Sequence, residues 1–508
     1  MFTIAGAMDT AKHTLKSRLE DHFRLAERNT TFRTEVVGGV TTFAVMAYII
    51  FLNPFILTLN GSAQAPKVPP FAGLVTATCL AAAVMSIAMG LYANYPFALA
   101  PGLGINSVIA FDLIATHALP WQAAMGVIFV GGTVITALVV AGFGDALLRA
   151  IPLALKRAIG VGIGLFILFI GLLNAGVVRV PVETIAISGA ASISGPTTLG
   201  TLATQDMHLG APGTPVTLGN LTQLPVALAV VGLLLTLGLM ARGVKAALLY
   251  GLLATTALAI ALKSIAPALI VSSAPAAADL RRMALVPIDI STLGAGFNFT
   301  AFNSPTAVVR GLGFVAALLV MFSLMLSGFL DTVGTIVGVG ERAGLVDAQG
   351  RLPGAQRVLV IDSLATALGG LFGVSSVTTY VESAAGVAAG ARTGLTSVVT
   401  GLCFLLALAV APLAGLVPPE ATAPALIIVG FFMFAAVREI DFSSLLDGFP
   451  ALITLIMIPL TYSITNGIGA GFITYCFLRA ITGRAREVPP LLWGISAAFV
   501  LYFVIPQI

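Results

Sequence analysis

Ser375-Ser376-Val377-Thr378-Thr379-Tyr380-Val381-Glu382-Ser383-Ala384-Ala385-Gly386 sets one acid among a run of hydroxyls inside a strongly apolar chain. A continuous lipid-facing helix would not carry that acid, because an intramembrane charge is costly and needs a partner or a task. The stretch 375–391 therefore reads as a broken element that faces an interior. A second stretch, 97–115, is interrupted in a comparable way by Pro101, Gly102, Gly104 and Asn106.

The surroundings of these two stretches decide the class. Of 508 residues, 58% are hydrophobic and 9% charged, whereas a soluble domain is about one quarter charged. A soluble chain of this kind would expose large apolar patches, and a disordered one needs the opposite composition. Long unbroken apolar runs also exclude the alternation of a transmembrane barrel. Fifteen apolar segments follow one another: 35–57, 71–93, 97–115, 121–143, 155–175, 224–241, 244–263, 313–338, 355–373, 375–391, 395–414, 421–437, 449–465, 466–481 and 490–507. The reading is an all-α polytopic membrane protein.

Charge along the connections gives the orientation. Lys12, Lys16, Arg18, Arg24, Arg28 and Arg33 precede the first segment without a signal-peptide core, so insertion is expected to start at the first span. Arg149, Lys156 and Arg157 follow the fourth segment, Arg242 and Lys245 the sixth, and Arg342, Arg351 and Arg357 the eighth. Arg392 follows the tenth, Arg438 the twelfth, and Arg484 and Arg486 the fourteenth. Odd connections carry few cations apart from Lys67, Arg179 and the long 264–312 stretch with Arg281, Arg282 and Arg310. The positive-inside rule then puts the N-terminus in the cytoplasm. The 264–312 connection separates seven segments from seven or eight, which is the condition for an inverted repeat. The interrupted segment is third in each half, and such matching interruptions point to a transporter binding site.

Among the carboxylates within apolar segments are Asp112, Asp331, Asp362 and Glu382. Asp112 and Asp362 lie near segment ends, where burial with local hydrogen bonds explains them as readily as function does. Glu382, among hydroxyls in the broken segment, and Asp331, in Ser327-Gly328-Phe329-Leu330-Asp331-Thr332, favour function. Such a group can accept N–H bonds from a neutral, nitrogen-rich ligand. It can also take up a proton, since a low-dielectric setting disfavours the ionised form. The broken helix is expected to add free backbone N–H groups. Cys79, Cys403 and Cys476 read as apolar core residues. His13, His22, His117 and His208 show no ligand spacing, so neither metal nor cofactor is expected, and no basic run suggests nucleic acid. Gly142-Phe143-Gly144-Asp145 matches an intramembrane protease motif, but no tyrosine is followed by the partner aspartate.

Several longer motifs carry a resemblance. Thr30-Thr31-Phe32-Arg33-Thr34-Glu35 leading to Met46-Ala47-Tyr48 and Asn53-Pro54, Ala100-Pro101-Gly102-Leu103-Gly104-Ile105-Asn106, Asp331-Thr332-Val333-Gly334-Thr335, the 378–386 stretch, and Pro459-Leu460-Thr461-Tyr462 resemble AzgA-like purine permeases. These form the hypoxanthine, guanine and adenine branch of the nucleobase–cation symporter 2 family. The resemblance implies fourteen spans in two inverted seven-span repeats, with spans three and ten part strand and part helix. It implies a cytoplasmic segment 1–33, a core domain over 34–143 and 313–414, and a gate domain over 144–263 and 415–483. The connection 264–312 joins the repeats, and 484–508 is a C-terminal hydrophobic segment.

The resemblance also implies a purine nucleobase bound at Glu382 and Asn106, with Asp331 as a second acid and Thr379 beside them. Tyr380 and Phe329 are stacking candidates. Glu382 and Asp331 are the candidates for coupling to a proton, with sodium open. Import across the cytoplasmic membrane and a homodimer complete the expectation. One departure stands out. The branch reads Asp-x-x-Asp-Thr in the eighth span, and the first acid is Gly328 here. The rival readings are a carrier of another heterocycle, an anion carrier of the same architecture, and an intramembrane enzyme.

Overall fold

A computed structural model describes residues 20–59, 68–116, 119–142, 151–179, 216–265, 288–297, 308–347 and 352–504. His13, His117, His208, Lys67, Arg149, Arg281, Arg282 and Arg351, residues 143–145 of the protease-like match, and most of the 1–33 and 264–312 segments lie outside these residues.

Every apolar segment contains regular structure. The first is two helices, α1 (Phe32–Met46) and α2 (Ile49–Leu57), parted at Ala47-Tyr48. Then come α3 (Phe71–Ala88), β1 (Leu99–Pro101), α4 (Leu103–Ser107), α5 (Trp121–Val140) and α6 (Leu153–Asn174). After them follow β2 (Val178–Arg179), β3 (Thr217–Leu218), α7 (Leu224–Ala241) and α8 (Ala247–Ile265). The second half holds α9 (Val308–Arg342), α10 (Ala355–Phe372), β4 (Val377–Thr379), α11 (Ser383–Ala388) and α12 (Gly394–Ala407). It closes with α13 (Pro419–Phe434), α14 (Leu445–Leu460), α15 (Ile464–Ile481) and α16 (Pro490–Val504). Among the described residues ten helical stretches are long and apolar enough to cross a membrane. Shorter apolar helices lie at Leu103–Ala115, Gly394–Ala407, Leu445–Leu460 and Pro490–Val504. The chain is a mostly helical, multi-pass membrane protein.

The two interrupted segments are where strand replaces helix. β1 and β4 pair antiparallel, with Leu99 opposite Thr379, Ala100 opposite Thr378 and Pro101 opposite Val377. Two flanking bonds extend the pairing: Tyr380 N–H to Ala98 C=O at 2.9 Å and Gly102 N–H to Ser376 C=O at 2.9 Å. Apolar surroundings cannot hydrogen-bond a backbone, so each broken segment satisfies the other. A second pair, β2 with β3, is absent from the sequence reading. At two residues per strand it is too short to show alternation.

Helix packing falls into two sets. In one, α5 packs on α10, and α12 packs on α1 and α3. In the other, α6 packs on α13, α14 and α15, with α7 and α8 on α13. Helix α9 touches members of both. The adjoining segments 449–465 and 466–481 form a packed helix pair, with Tyr462 at φ 53° in the turn and Ser463 accepting from Asn466 N–H at 3.4 Å. Helix α16 packs on α15, where Phe472 and Phe499 meet edge to face at 6.3 Å.

Two contacts fix the first set. A β-carbon at Gly132 would lie 2.3 Å from Ala367 N, so α5 and α10 touch backbone to backbone. Glu35, fully buried, accepts from Thr30 Oγ1 at 2.8 Å, Arg392 N–H at 2.8 Å, Thr393 N–H at 3.2 Å and Thr396 Oγ1 at 2.6 Å. That carboxylate ties the start of α1 to the start of α12.

Gly132→Val should push α5 from α10 at an overpacking cost of about 1–3 kcal/mol. Thermal unfolding of the detergent-purified protein should show a clear fall in melting temperature. An unchanged midpoint would contradict the backbone contact.

Candidate functional site

The strand pair brings residues from opposite halves of the chain together. Helix α4 follows β1 and carries Asn106; the turn after β4 carries Tyr380 and Glu382. Helix α9 passes alongside β4 and α4 with Asp331 and Thr332, and α10 adds Asp362.

Glu382 Oε1 accepts from the Tyr48 hydroxyl at 2.6 Å. Tyr48 sits in the break between α1 and α2 and is fully buried. Asn106 donates through Nδ2 to Asn53 Oδ1, and Asn53 Nδ2 donates to Thr78 Oγ1 at 2.8 Å. Asn106 Oδ1 and Thr379 Oγ1 are buried without a partner among the described residues. Buried oxygens without donors are uncommon and mark places where a ligand's N–H can bond.

The three acids differ in what they are given. Asp362, buried, accepts from Thr332 Oγ1 at 2.6 Å, Thr378 Oγ1 at 3.2 Å and Thr379 N–H at 2.8 Å. It holds β4 to α9 and α10, as a locally satisfied carboxylate would. Asp331 accepts no hydrogen bond from any described residue, and it keeps exposed surface although Thr332 beside it is fully buried. Glu382 is half-buried. No cation forms an ion pair with any of these acids among the described residues. Asp112 is buried in the helical continuation of α4.

Tyr380 and Phe329 are placed differently from the rest. The Tyr380 hydroxyl donates to Pro101 C=O, so it locks the strand pair. Phe329 is buried in the main apolar cluster. It lies about 200° around α9 from Asp331, at roughly 100° per residue. The free N–H groups expected at the head of α11 are taken: Ser383, Ala384 and Ala385 donate to the carbonyls of Tyr380, Val381 and Glu382. Tyr48, Asn53 and Thr78 were not foreseen. An asparagine before Pro54 in an apolar helix is the signal that would have pointed to them.

Comparison with known proteins gives consistent matches. The Xan_ur_permease model, described as a permease family, matches residues 33–205 and 195–470. The chain is 37% identical to the guanine/hypoxanthine permease PbuG of Bacillus subtilis, over 96% of this chain and 99% of that protein. It is also 37% identical to the adenine permease AdeP of Escherichia coli, over 96% of each. Among solved structures it is similar to the transmembrane domain of a cyanobacterial bicarbonate transporter, BicA, with a TM-score of 0.55 at 15% identity, covering 86% of this chain and 97% of that one. A murine solute carrier 26 anion transporter in the inward-facing state matches with a TM-score of 0.56 at 12% identity, over 89% of this chain and 69% of that one. At these identities the two structures speak for the fold alone.

Asp362→Ala removes the acceptor of the Thr379 N–H and of the Thr332–Thr378 hydroxyl pair, whose members also bond each other at 2.8 Å, at about 1–3 kcal/mol for each group left stranded. Asp331→Ala strands none. Melting of the purified variants should place Asp362→Ala well below Asp331→Ala, and the reverse order would refute the division of roles.

Proposed function

This chain belongs to the permease family that matches it over residues 33–205 and 195–470, and on that premise we propose that it is a proton-coupled importer of purine nucleobases. The observation that carries the reading is the donor and acceptor character of the site. Glu382, Asp331, Asn106 Oδ1 and Thr379 Oγ1 offer acceptors, and among the described residues no cation pairs with the acids. A neutral base edged with N–H groups suits that set, and an anion does not. The names of the relatives PbuG and AdeP agree with it.

Glu382 accepts N–H bonds from the base, with Tyr48 holding the carboxylate in its rotamer. Asn106 and Thr379 complete the polar edge, and the Tyr380 ring is the face available for stacking. Asp331, which accepts no hydrogen bond from a described residue, takes up the coupling proton as the base binds.

The two helix sets support a core of 34–143 with 313–414 that moves against a gate of 144–263 with 415–483. Fourteen spans in two inverted repeats, the connection 264–312 between them, and the segment 484–508 outside them fit the element order. Alternating access then exposes the site on either face by relative movement of the two sets. The protein sits in the cytoplasmic membrane with residues 1–33 inside the cell, and a homodimer is its proposed assembly.

In cells lacking their own nucleobase permeases, radiolabelled hypoxanthine, guanine or adenine should accumulate, and a protonophore should abolish the accumulation. Glu382→Gln should lower initial uptake about 10- to 100-fold, the worth of a hydrogen bond to a charged group. Equal uptake by Glu382→Gln, or uptake of none of the three bases, would contradict the proposal.

A further inference from the structure

Asn106, Asn53 and Thr78 form a relay across three helices. Asn106 of α4 donates through Nδ2 to Asn53 Oδ1 of α2, and Asn53 Nδ2 donates to Thr78 Oγ1 of α3 at 2.8 Å. All three side chains are fully buried. Asn106 Oδ1 has no donor among the described residues. The relay therefore ends in a free oxygen at Asn106, the residue assigned above to the polar edge of the base.

Each member of the relay can both donate and accept. An amide carries an oxygen and an NH2 group, and a hydroxyl carries a proton and lone pairs. A half-turn of both amides exchanges their oxygen and nitrogen positions with little change of shape. Asn53 Nδ2 then donates to Asn106 Oδ1, and the Thr78 hydroxyl donates to Asn53 Oδ1. Two hydrogen bonds hold the relay in either arrangement. Only the free atom at Asn106 differs: an accepting oxygen in one, a donating NH2 in the other. Thr379 Oγ1, also without a partner among the described residues, is a hydroxyl and serves in either role. An ionised Glu382, by contrast, only accepts.

Purine bases divide on this point. Hypoxanthine and guanine carry N1–H and a C6 carbonyl, whereas adenine carries an N1 lone pair and a C6 amino group. Donor and acceptor are exchanged at both atoms. A rigid amide facing either atom would strand one class, and buried polar groups left unpaired are what make a site reject a ligand. We infer that the Asn106–Asn53–Thr78 relay turns as a unit, so that one site binds both 6-oxo and 6-amino purines. Each base selects the arrangement that matches its edge. The inference rests on the purine reading above and adds the substrate range to it. Asn53 and Thr78 are positioning residues, acting on the base through Asn106.

Competition in cells lacking their own nucleobase permeases tests it. Uptake of radiolabelled hypoxanthine and of radiolabelled adenine is measured against each unlabelled base. The readout is the ratio of the two inhibition constants, which a change in expression or stability does not move. In the wild type the constants should lie within about tenfold of each other, since neither base strands a hydrogen bond at Asn106. Groups that only accept should lock the relay. The carboxylate of Asn53→Asp accepts from Asn106 Nδ2 and the Thr78 hydroxyl, and that of Thr78→Asp accepts from Asn53 Nδ2. Either one leaves Asn106 Oδ1 as the free atom. Both variants should move the ratio about tenfold in one common direction. The sign tells whether N1 or the C6 substituent meets Asn106. Thr78→Ser keeps the hydroxyl and Thr78→Val withdraws it from both arrangements alike, so neither should move the ratio. A wild-type ratio beyond tenfold, a ratio unmoved in Asn53→Asp, opposite shifts in the two acid variants, or an equal shift in Thr78→Val would each overturn the relay and leave the purine reading intact. No uptake of either radiolabelled base would overturn the purine reading, and the relay with it.

Discussion

Backbone groups in an apolar interior must find partners within the protein, and the β1–β4 pair meets that demand for both broken segments at once. Leu99–Pro101 and Val377–Thr379 are nearly three hundred residues apart, yet each supplies the other's ladder. The supporting bonds come from small hydroxyls. Ser86 Oγ receives Leu99 N–H at 2.9 Å, and Ser383 Oγ receives Ala98 N–H at 3.0 Å. The close fit also restricts side chains: a β-carbon at Gly369 would meet Ser375 O at 2.1 Å. The polar site exists because this pairing stops two helices partway and turns their freed ends toward each other.

The hydrogen-bond accounting then sorts acids that composition cannot. Asp362 is spent on structure, with three donors aimed at it. Glu382 is oriented by one donor, Tyr48, and retains acceptor capacity. Asp331 accepts no hydrogen bond from the described residues. The three environments differ in hydrogen bonding, and that difference is what the proposed division of labour rests on. The same fold in anion transporters does not conflict with this, because a fold positions a site without dictating its charge.

Much of this was legible in the sequence, for identifiable reasons. Apolar runs near twenty residues mark spans directly, and all fifteen segments contain regular structure. The two interrupted segments stood out because Pro101, Gly102 and the hydroxyl run around Glu382 have no place in a lipid-facing helix. Glu382, Asn106 and Asp331 come from segments that the structure brings together. The sequence was silent on what depends on distant contacts. Tyr48 looks like any aromatic in a span until α1 and α2 part at that position. Tyr380 carries an apolar ring and a donor, and the bond of its hydroxyl to the Pro101 carbonyl depends on a residue far away in the sequence. Phe329 is separated from Asp331 by helical phase, which follows from spacing once α9 is known to be continuous there. The β2–β3 pair lies beyond any pattern a two-residue strand can show.

The proposed binding place for the base is where the strand pair, α4 and α9 converge. Cryo-electron microscopy of the purified protein with saturating guanine or adenine tests this most directly. Planar density beside the Tyr380 ring, within hydrogen-bond reach of Glu382 and Asn106, is the result expected. Density lodged elsewhere, with Glu382 still bonded only to Tyr48, would contradict it.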